Sequence, residues 1–363
     1  MKNKQLILLL CFWLICFFPI INRVFKIAPN YNIEKKRLAK KPSLKSEGVL
    51  GFTESYDGWY KKNFSGRSIL FSGISNLVYK TFNSSILQDK AFVGKDGWMF
   101  LGNRGGSVVD ETIGLDILSV TKLKKITDNL KKRDAWCKKR GIKYYVAIVP
   151  NKHSVYKEKL PYKVNVEYNR LDTLVNYINN NSSLKAVNLG SNFPDLKKHE
   201  LLYYKTNSHW NKIGGYYGYQ NLMNFLTDQG HKVNVLIRED YQWDTTYAYK
   251  EDLTKMLDLS VREERYIPVI KKQAGTKLIT FKVPKKRREY KRRYLNKKGK
   301  SKALIFRDSY GGSMEGFLKH SFKELTLIWD YEFLKAEINE QEPDFVIHLI
   351  VERNIEMLSL KNK

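Results

Sequence analysis

Short apolar strands alternate with amphipathic helices through residues 120–351, which makes this chain an α/β protein, a three-layer sandwich with a mostly parallel central sheet. Three stretches carry that reading. Leu123, Ile126, Leu130 and Trp136 recur at helical spacing and Gly141 closes the run, so 120–140 is a helix. Residues 142–149, Ile-Lys-Tyr-Tyr-Val-Ala-Ile-Val, then form a nearly continuous apolar run that stops at Pro150, as a buried strand does. The same beat returns near the C-terminus, where 303–306, 325–329 and 345–351 are strands separated by short helices at 317–320 and 334–338. Between the two halves lie a helix at 171–178, a strand at 184–189 and a helix at 213–226 with Gly230 just beyond it. In such a sheet ligands collect outside the carboxyl ends of the strands, so the residues that follow each strand are the place to look for chemistry.

Ahead of this body, residues 6–21 carry no charge. With Val24 and Phe25 the run reaches about the 20 residues that a spanning helix needs, and no small-x-small cleavage signal follows it. Residues 1–26 are therefore expected to be a retained signal anchor. More Lys and Arg follow the run than precede it, which by a simple positive-inside count leaves the body in the cytoplasm, but long domains translocate largely regardless of such charge. Residues 27–48 are polar and basic and read as a linker, and 49–357 as the catalytic body. Within it 57–67 leads into an amphipathic helix at 68–82, and 91–101 reads as two short strands around an Asp-Gly turn.

The chain has 65 Lys and Arg against 37 Asp and Glu, a formal charge of +28. Half of the surplus sits in one segment, 271–302, with fifteen basic residues and one acid, Glu289. A solvated basic loop fits it, as does a patch facing a membrane or an acidic polymer. No nucleic-acid recognition motif accompanies the charge, so no specific nucleic-acid partner is expected. The segment 233–302 breaks the strand-helix rhythm and reads as an insertion or subdomain. Of the cysteines, Cys11 and Cys16 lie in the apolar run and Cys137 is alone in the body, which excludes a disulfide framework and, without a CxxC pair, a thiolate zinc site. His199, His231, His320 and His348 show no metal-ligand spacing, so neither a metal nor another cofactor is expected.

Two constellations stand where the architecture puts active sites. The strand at 303–306 stops at Arg307-Asp308-Ser309-Tyr310 and runs into Gly311-Gly312. A serine there faces the cleft near a helix N-terminus whose amides can stabilise an oxyanion, though capping of that helix by Asp308 and Ser309 fits the same residues. The second is Thr206-Asn207-Ser208-His209-Trp210-Asn211, directly before a helix. In an extended segment residues i and i+2 point the same way, so Asn207 can take a hydrogen bond from the His209 ring, as the orienting member of a nucleophile-base-orienter triad does.

Taken with these, Val-Gly-Lys-Asp-Gly-Trp-Met-Phe (93–100), Val-Pro-Asn-Lys with a nearby tyrosine (149–156) and Val-Glu-Arg (351–353) complete a set that resembles the SGNH-hydrolase-like family of exopolysaccharide O-acetyltransferases, of the alginate-acetylation type. The resemblance covers roughly 50–230 and 300–357. It implies an extracytoplasmic enzyme that moves acetyl groups onto a polysaccharide acceptor, with the acetyl supplied by a multipass membrane-bound O-acyltransferase. It implies Ser309 as nucleophile, His209 as base, and Asn207 at the place of the family's triad aspartate. Arg307, Lys152, Tyr331 and Arg353, at predicted strand ends, are expected to line the cleft and bind substrate.

Two departures from the family matter. Asn207 removes the charge that steadies an imidazolium; in a serine protease that exchange costs on the order of 10⁴ in turnover, yet Cys-His-Asn enzymes show that an amide still orients the ring. Either activity is reduced or another acid serves. Arg307 stands where a glycine is usual and puts a cation beside the nucleophile. A carbohydrate esterase of the same fold, or a catalytically weakened polysaccharide- or membrane-binding protein, fits the sequence as well.

Overall fold

A computed structural model describes residues 2–28, 41–164, 168–271, 276–279 and 290–360. The chain divides into two compact units, Met1–Leu87 with Thr254–Ser260, and Gln88–Leu253 with Val261–Lys363. Residues 49–87, expected at the head of the catalytic body, thus group with the N-terminal helices.

In the first unit, α1 (Lys2–Phe25) contains the stretch Lys4–Phe25, long and apolar enough to cross a membrane, with a mean hydropathy of 2.3. Its end is tied down by the buried Asn22, whose amide donates to Ser65 Oγ (2.8 Å) and accepts from the Ala28 amide (2.6 Å). Next come α2 (Leu44–Asn63) and α3 (Arg67–Phe82). Of the expected linker, 29–40 lies outside the described residues, but its last residues and 57–63 are helical. Glycine and Asp-Gly signals misled there. Gly48 is a kink with φ of 66° inside the helix, while Phe52, Tyr56, Tyr60 and Phe64 follow one another at i,i+4 and their rings touch along one face.

The second unit opens with the expected hairpin, β1 (Ala91–Val93) against β2 (Met99–Leu101), turned through Asp96 and Gly97 at positive φ. The helix α4 (Val108–Ile113) precedes α5 (Val120–Lys138), capped by Ser119, and β3 (Lys143–Val149). In chain order follow α6 (Lys152–Val155), α7 (Arg170–Asn181), β4 (Lys185–Asn188), α8 (Phe193–Leu196) and α9 (Lys212–Asp228). Then come β5 (Tyr241–Ala248), α10 (Asp252–Leu257, grouped from Thr254 on with the first unit), β6 (Glu263–Ile270), β7 (Thr276–Ile279) and β8 (Lys291–Asn296). The chain finishes with β9 (Lys302–Arg307), α11 (Gly311–Leu318), β10 (Glu324–Trp329), α12 (Lys335–Gln341) and β11 (Phe345–Val351).

Seven strands make the central sheet, in the order β4-β3-β11-β9-β10-β8-β7. The first five are parallel, and β8 and β7 extend them antiparallel. Both faces are covered, which is why these strands read as apolar runs. Tyr145, Ala147, Val149, Ile305, Ile347 and Leu349 pack with residues of α9 and α11. Tyr144, Val146, Ile148, Leu304, Phe306 and Ile350 pack with residues of α5 and α7 on the other side. Each such buried side chain contributes roughly 1.5–3 kcal/mol. The register sets Val351 opposite Val149 and Leu349 opposite Arg307, so the chain leaves β3, β9 and β11 along one rim of the sheet.

Two expectations change here. The span 233–302 is not merely an insertion, because β7 and β8 belong to the sheet and β5 and β6 form a hairpin of their own. Of its basic core, 272–275 and 280–289 lie outside the described residues; the described flank is paired, Lys291 with Glu337 (2.5 Å), Arg292 with Glu315 (2.7 Å) and Arg293 with Glu324 (2.6 Å). The helix after the serine begins at Gly311, well before the expected 317, since Gly311 is a packing requirement and not a helix end. A Cβ on Gly311 would lie 2.7 Å from Arg307 Cδ.

Candidate active site

β9 ends at Arg307, and the next residues turn sharply into α11. Asp308, buried under the turn, accepts the amides of Tyr310 (2.9 Å) and Val351 (2.8 Å), which fastens the turn to the end of β11. Burial pushes its carboxyl up, against the pull of those two amides. The capping read for Asp308 and Ser309 is not seen: the N-cap position of α11 is Tyr310, which takes no side-chain cap bond, and Asp308 braces the turn ahead of it while Ser309 points elsewhere.

The histidine arrives from the segment before α9. Asn211 caps that helix by accepting the Gly214 amide (2.9 Å) and donates its own amide to Leu202 (2.9 Å), closing a loop over 202–211. Two bonds then lock the loop to the nucleophile turn. Trp210 Nε1 donates to the Tyr310 carbonyl (3.0 Å), and the Tyr310 hydroxyl donates to the Ser208 carbonyl (2.7 Å). The result sets His209 Nε2 2.7 Å from Ser309 Oγ, across a hundred residues of sequence.

Which nitrogen carries the proton follows from the neighbours. Glu251 accepts from Asn207 Nδ2 (2.7 Å), and a carboxylate beside Arg265 has only acceptor oxygens to offer. The amide of Asn207 is therefore turned with its oxygen toward the ring, 2.8 Å from His209 Nδ1. That oxygen requires a proton on Nδ1, which leaves the Nε2 lone pair facing Ser309, the tautomer a general base needs. A second carboxylate stands by. Asp252 Oδ2 is 3.4 Å from Nδ1 and accepts from the Ser208 hydroxyl, while Oδ1 accepts the Ser208 amide at 2.8 Å.

The residues expected to bind substrate each make contacts within the protein. Lys152 is buried and its Nζ donates to the carbonyls of Met99 (2.5 Å), Lys205 (2.8 Å) and Asn207 (3.2 Å), pinning the histidine loop to the β1–β2 hairpin. Burial pulls it down to about 7, against the carboxylates of Glu263 and Asp252. Arg307 is buried, donates to the Asp308 carbonyl (3.1 Å) and lies over the Trp329 ring. Arg353 donates to the Tyr310 hydroxyl (3.1 Å) and covers its ring, and the half-buried Tyr331 accepts from Asn354 (3.0 Å). All four are at strand ends as expected, and the contacts of Lys152, Arg307 and Arg353 brace the histidine loop and the nucleophile turn. Sequence reasoning missed Glu251 and Asp252. Their placement depends on the path between β5 and β6, and two adjacent acids in a stretch of mixed charge carry no local signal. Among the described residues no group of His, Cys, Asp or Glu is arranged to hold a metal ion.

A parallel sheet with this serine and histidine at its carboxyl rim defines an SGNH-hydrolase-like protein. The family model described as an SGNH hydrolase-like domain, acetyltransferase AlgX, matches residues 91–324, and the chain belongs to that acetyltransferase family. Among solved structures, Bacillus cereus PatB1 with a sulfonyl adduct is 15% identical, with a TM-score of 0.58 over 76% of this chain and 100% of that one. A DHHW family protein from Eubacterium siraeum is also 15% identical, with a TM-score of 0.53 over 77% of this chain and 98% of its own. Likeness at this identity is a likeness of fold. No curated protein sequence matches the chain.

Proposed function

We propose that this protein is a serine-dependent O-acetyltransferase acting on the hydroxyls of a polysaccharide outside the cytoplasm, held at the membrane by α1. The observation that carries the reading is the 2.7 Å contact between His209 Nε2 and Ser309 Oγ, with the ring tautomer set by Asn207. His209 removes the hydroxyl proton as Oγ attacks the carbonyl carbon of an acyl donor. The tetrahedral oxyanion collapses to an acyl-enzyme, and the departing oxygen takes the proton from His209. A sugar hydroxyl then gives its proton to the same nitrogen, attacks the acyl carbon and leaves as the acetyl ester, returning Ser309 to its starting state.

Membership of the acetyltransferase family supports the acyl chemistry. A sulfonyl adduct is described for PatB1, and sulfonylation of an activated serine here is the corresponding expectation. A multipass O-acyltransferase as donor partner is part of this proposal and rests on the resemblance alone. Water in place of sugar makes the same site an esterase. A purely binding protein, which Asn207 had favoured, fits less well with the serine and histidine set in bonding contact.

The test is turnover of a chromogenic acetyl ester by the detergent-solubilised full chain, with and without acetylatable oligosaccharide. Ser309→Ala and His209→Ala are each expected to fall to the uncatalysed rate, and sugar ester should form only with intact Ser309. Full turnover in Ser309→Ala would sink the proposal; hydrolysis without any sugar ester would favour the esterase.

A further inference from the structure

We infer that Asp252 is the charged positioning residue of this site, standing in for the aspartate that Asn207 has replaced. The inference rests on the Ser309–His209 reading above and deepens it. An imidazolium forms at His209 as Ser309 loses its proton, and the carboxylate nearest to Nδ1 is Asp252, at 3.4 Å. Around the ring stand Asn207, Ser208, Ser309 and the Tyr310 ring (4.7 Å), with Asp308 and Arg353 behind Tyr310 and the Lys152 Nζ beyond the Asn207 carbonyl. Ser208 connects the pair: its hydroxyl donates to Asp252 and lies 3.2 Å from His209 Nδ1. Burial alone would raise the Asp252 carboxyl, but the neighbouring His209 ring and the two hydrogen bonds from Ser208 hold it below the ordinary value, so it is ionised at neutral pH.

The same geometry says why the charge is not at 207. Glu251, buried and paired with Arg265, is 2.7 Å from the Asn207 amide. An aspartate at 207 would set two carboxylates in contact, and one of them would have to take up a proton. Division of labour avoids this. Asn207 holds the tautomer, Glu251 holds Asn207, and the negative charge enters one residue further along the chain.

Asp252→Asn keeps the shape and removes the charge. With the chromogenic acetyl ester and the full chain, it is expected to lower kcat by between about 10-fold and about 10⁴-fold with KM unchanged, because the charge acts only on the transition state. The triple variant Asn207→Asp, Glu251→Gln, Asp252→Asn restores a carboxylate at the ring without a clashing neighbour and is expected to recover most of that loss. A kcat for Asp252→Asn within twofold of wild type overturns the inference, and so does a loss that the triple variant fails to recover, since a merely structural role would not be repaired from position 207. Should Asp252→Asn not fold, the pair Asn207→Asp, Glu251→Gln decides. A site already charged by Asp252 gains less than about 3-fold, whereas a gain of 10-fold or more means that it lacked the charge. Ser309→Ala runs alongside: turnover surviving there defeats the parent reading, and only turnover that depends on Ser309 makes the Asp252 variants informative.

Discussion

At the scale of the residue, the site is held by polar groups that are buried and used up. Lys152 is the clearest case, since its three donors meet three carbonyls from two segments. Lys152→Met fills the volume but takes those donors from the Met99 and Asn207 carbonyls, the Lys205 carbonyl keeping the Met99 amide, and is expected to lower stability by about 2–4 kcal/mol in urea unfolding and to reduce kcat as the histidine loop loosens. A variant as stable and as active as wild type would contradict this structural role of Lys152. Ser309, His209 and Asn207 were legible because each sits in a local pattern, an apolar strand ending in a polar turn or an i,i+2 pair before a helix. Glu251 and Asp252 were not, because nothing within ten residues of them indicates which part of the sheet they will meet.

Elements were legible where their apolar residues face one core, and illegible where glycine or charge broke the pattern for a tertiary reason. β3, β11 and α5 fall where periodicity puts them. α11 was cut short and β8 was overlooked, the first because Gly311 serves close packing on Arg307, the second because its arginines are neutralised by Glu315 and Glu324 from elsewhere in the fold. The N-terminus of α9 gives a test at this scale. A Cβ on Gly214 would collide with the backbone oxygen of Leu202. Gly214→Ala is therefore expected to lower the thermal midpoint and kcat together, although it touches neither His209 nor Ser309. Replacement of the open-sided Gly230, whose Cβ would meet nothing but whose φ is 83°, should cost stability and leave kcat alone.

At the scale of the whole molecule, buried charge makes stability depend on pH. Glu111 is buried against Arg170 (3.2 Å), and burial pushes its carboxyl up to about 8 despite that cation. The folded chain thus holds a proton that the unfolded chain releases near pH 4.5, so this stabilisation is complete at low pH and is lost as pH rises toward 8. Thermal midpoints measured from pH 5 to 8 should fall more in wild type than in Glu111→Gln, by at least about 3 °C. Equal slopes would mean that Glu111 is ionised throughout. The long-range consequence of the fold is simpler: a parallel sheet with aligned strand ends gathers Asn151, Asp308, Ser309, Glu352 and Arg353 on one rim, and the loop ahead of α9 brings His209 to meet them.

The account stands on Ser309 taking up the acyl group. Brief exposure of the full chain to a chromogenic acetyl ester, followed by acid quench, proteolysis and mass spectrometry, reads this directly. The peptide containing Ser309 should carry an acetyl group in wild type, more of it in Asp252→Asn if deacylation slows, and none in Ser309→Ala or His209→Ala. An enzyme that turns over with this peptide unmodified, or with the acetyl group on another residue, would contradict the assignment of the nucleophile and everything built on it.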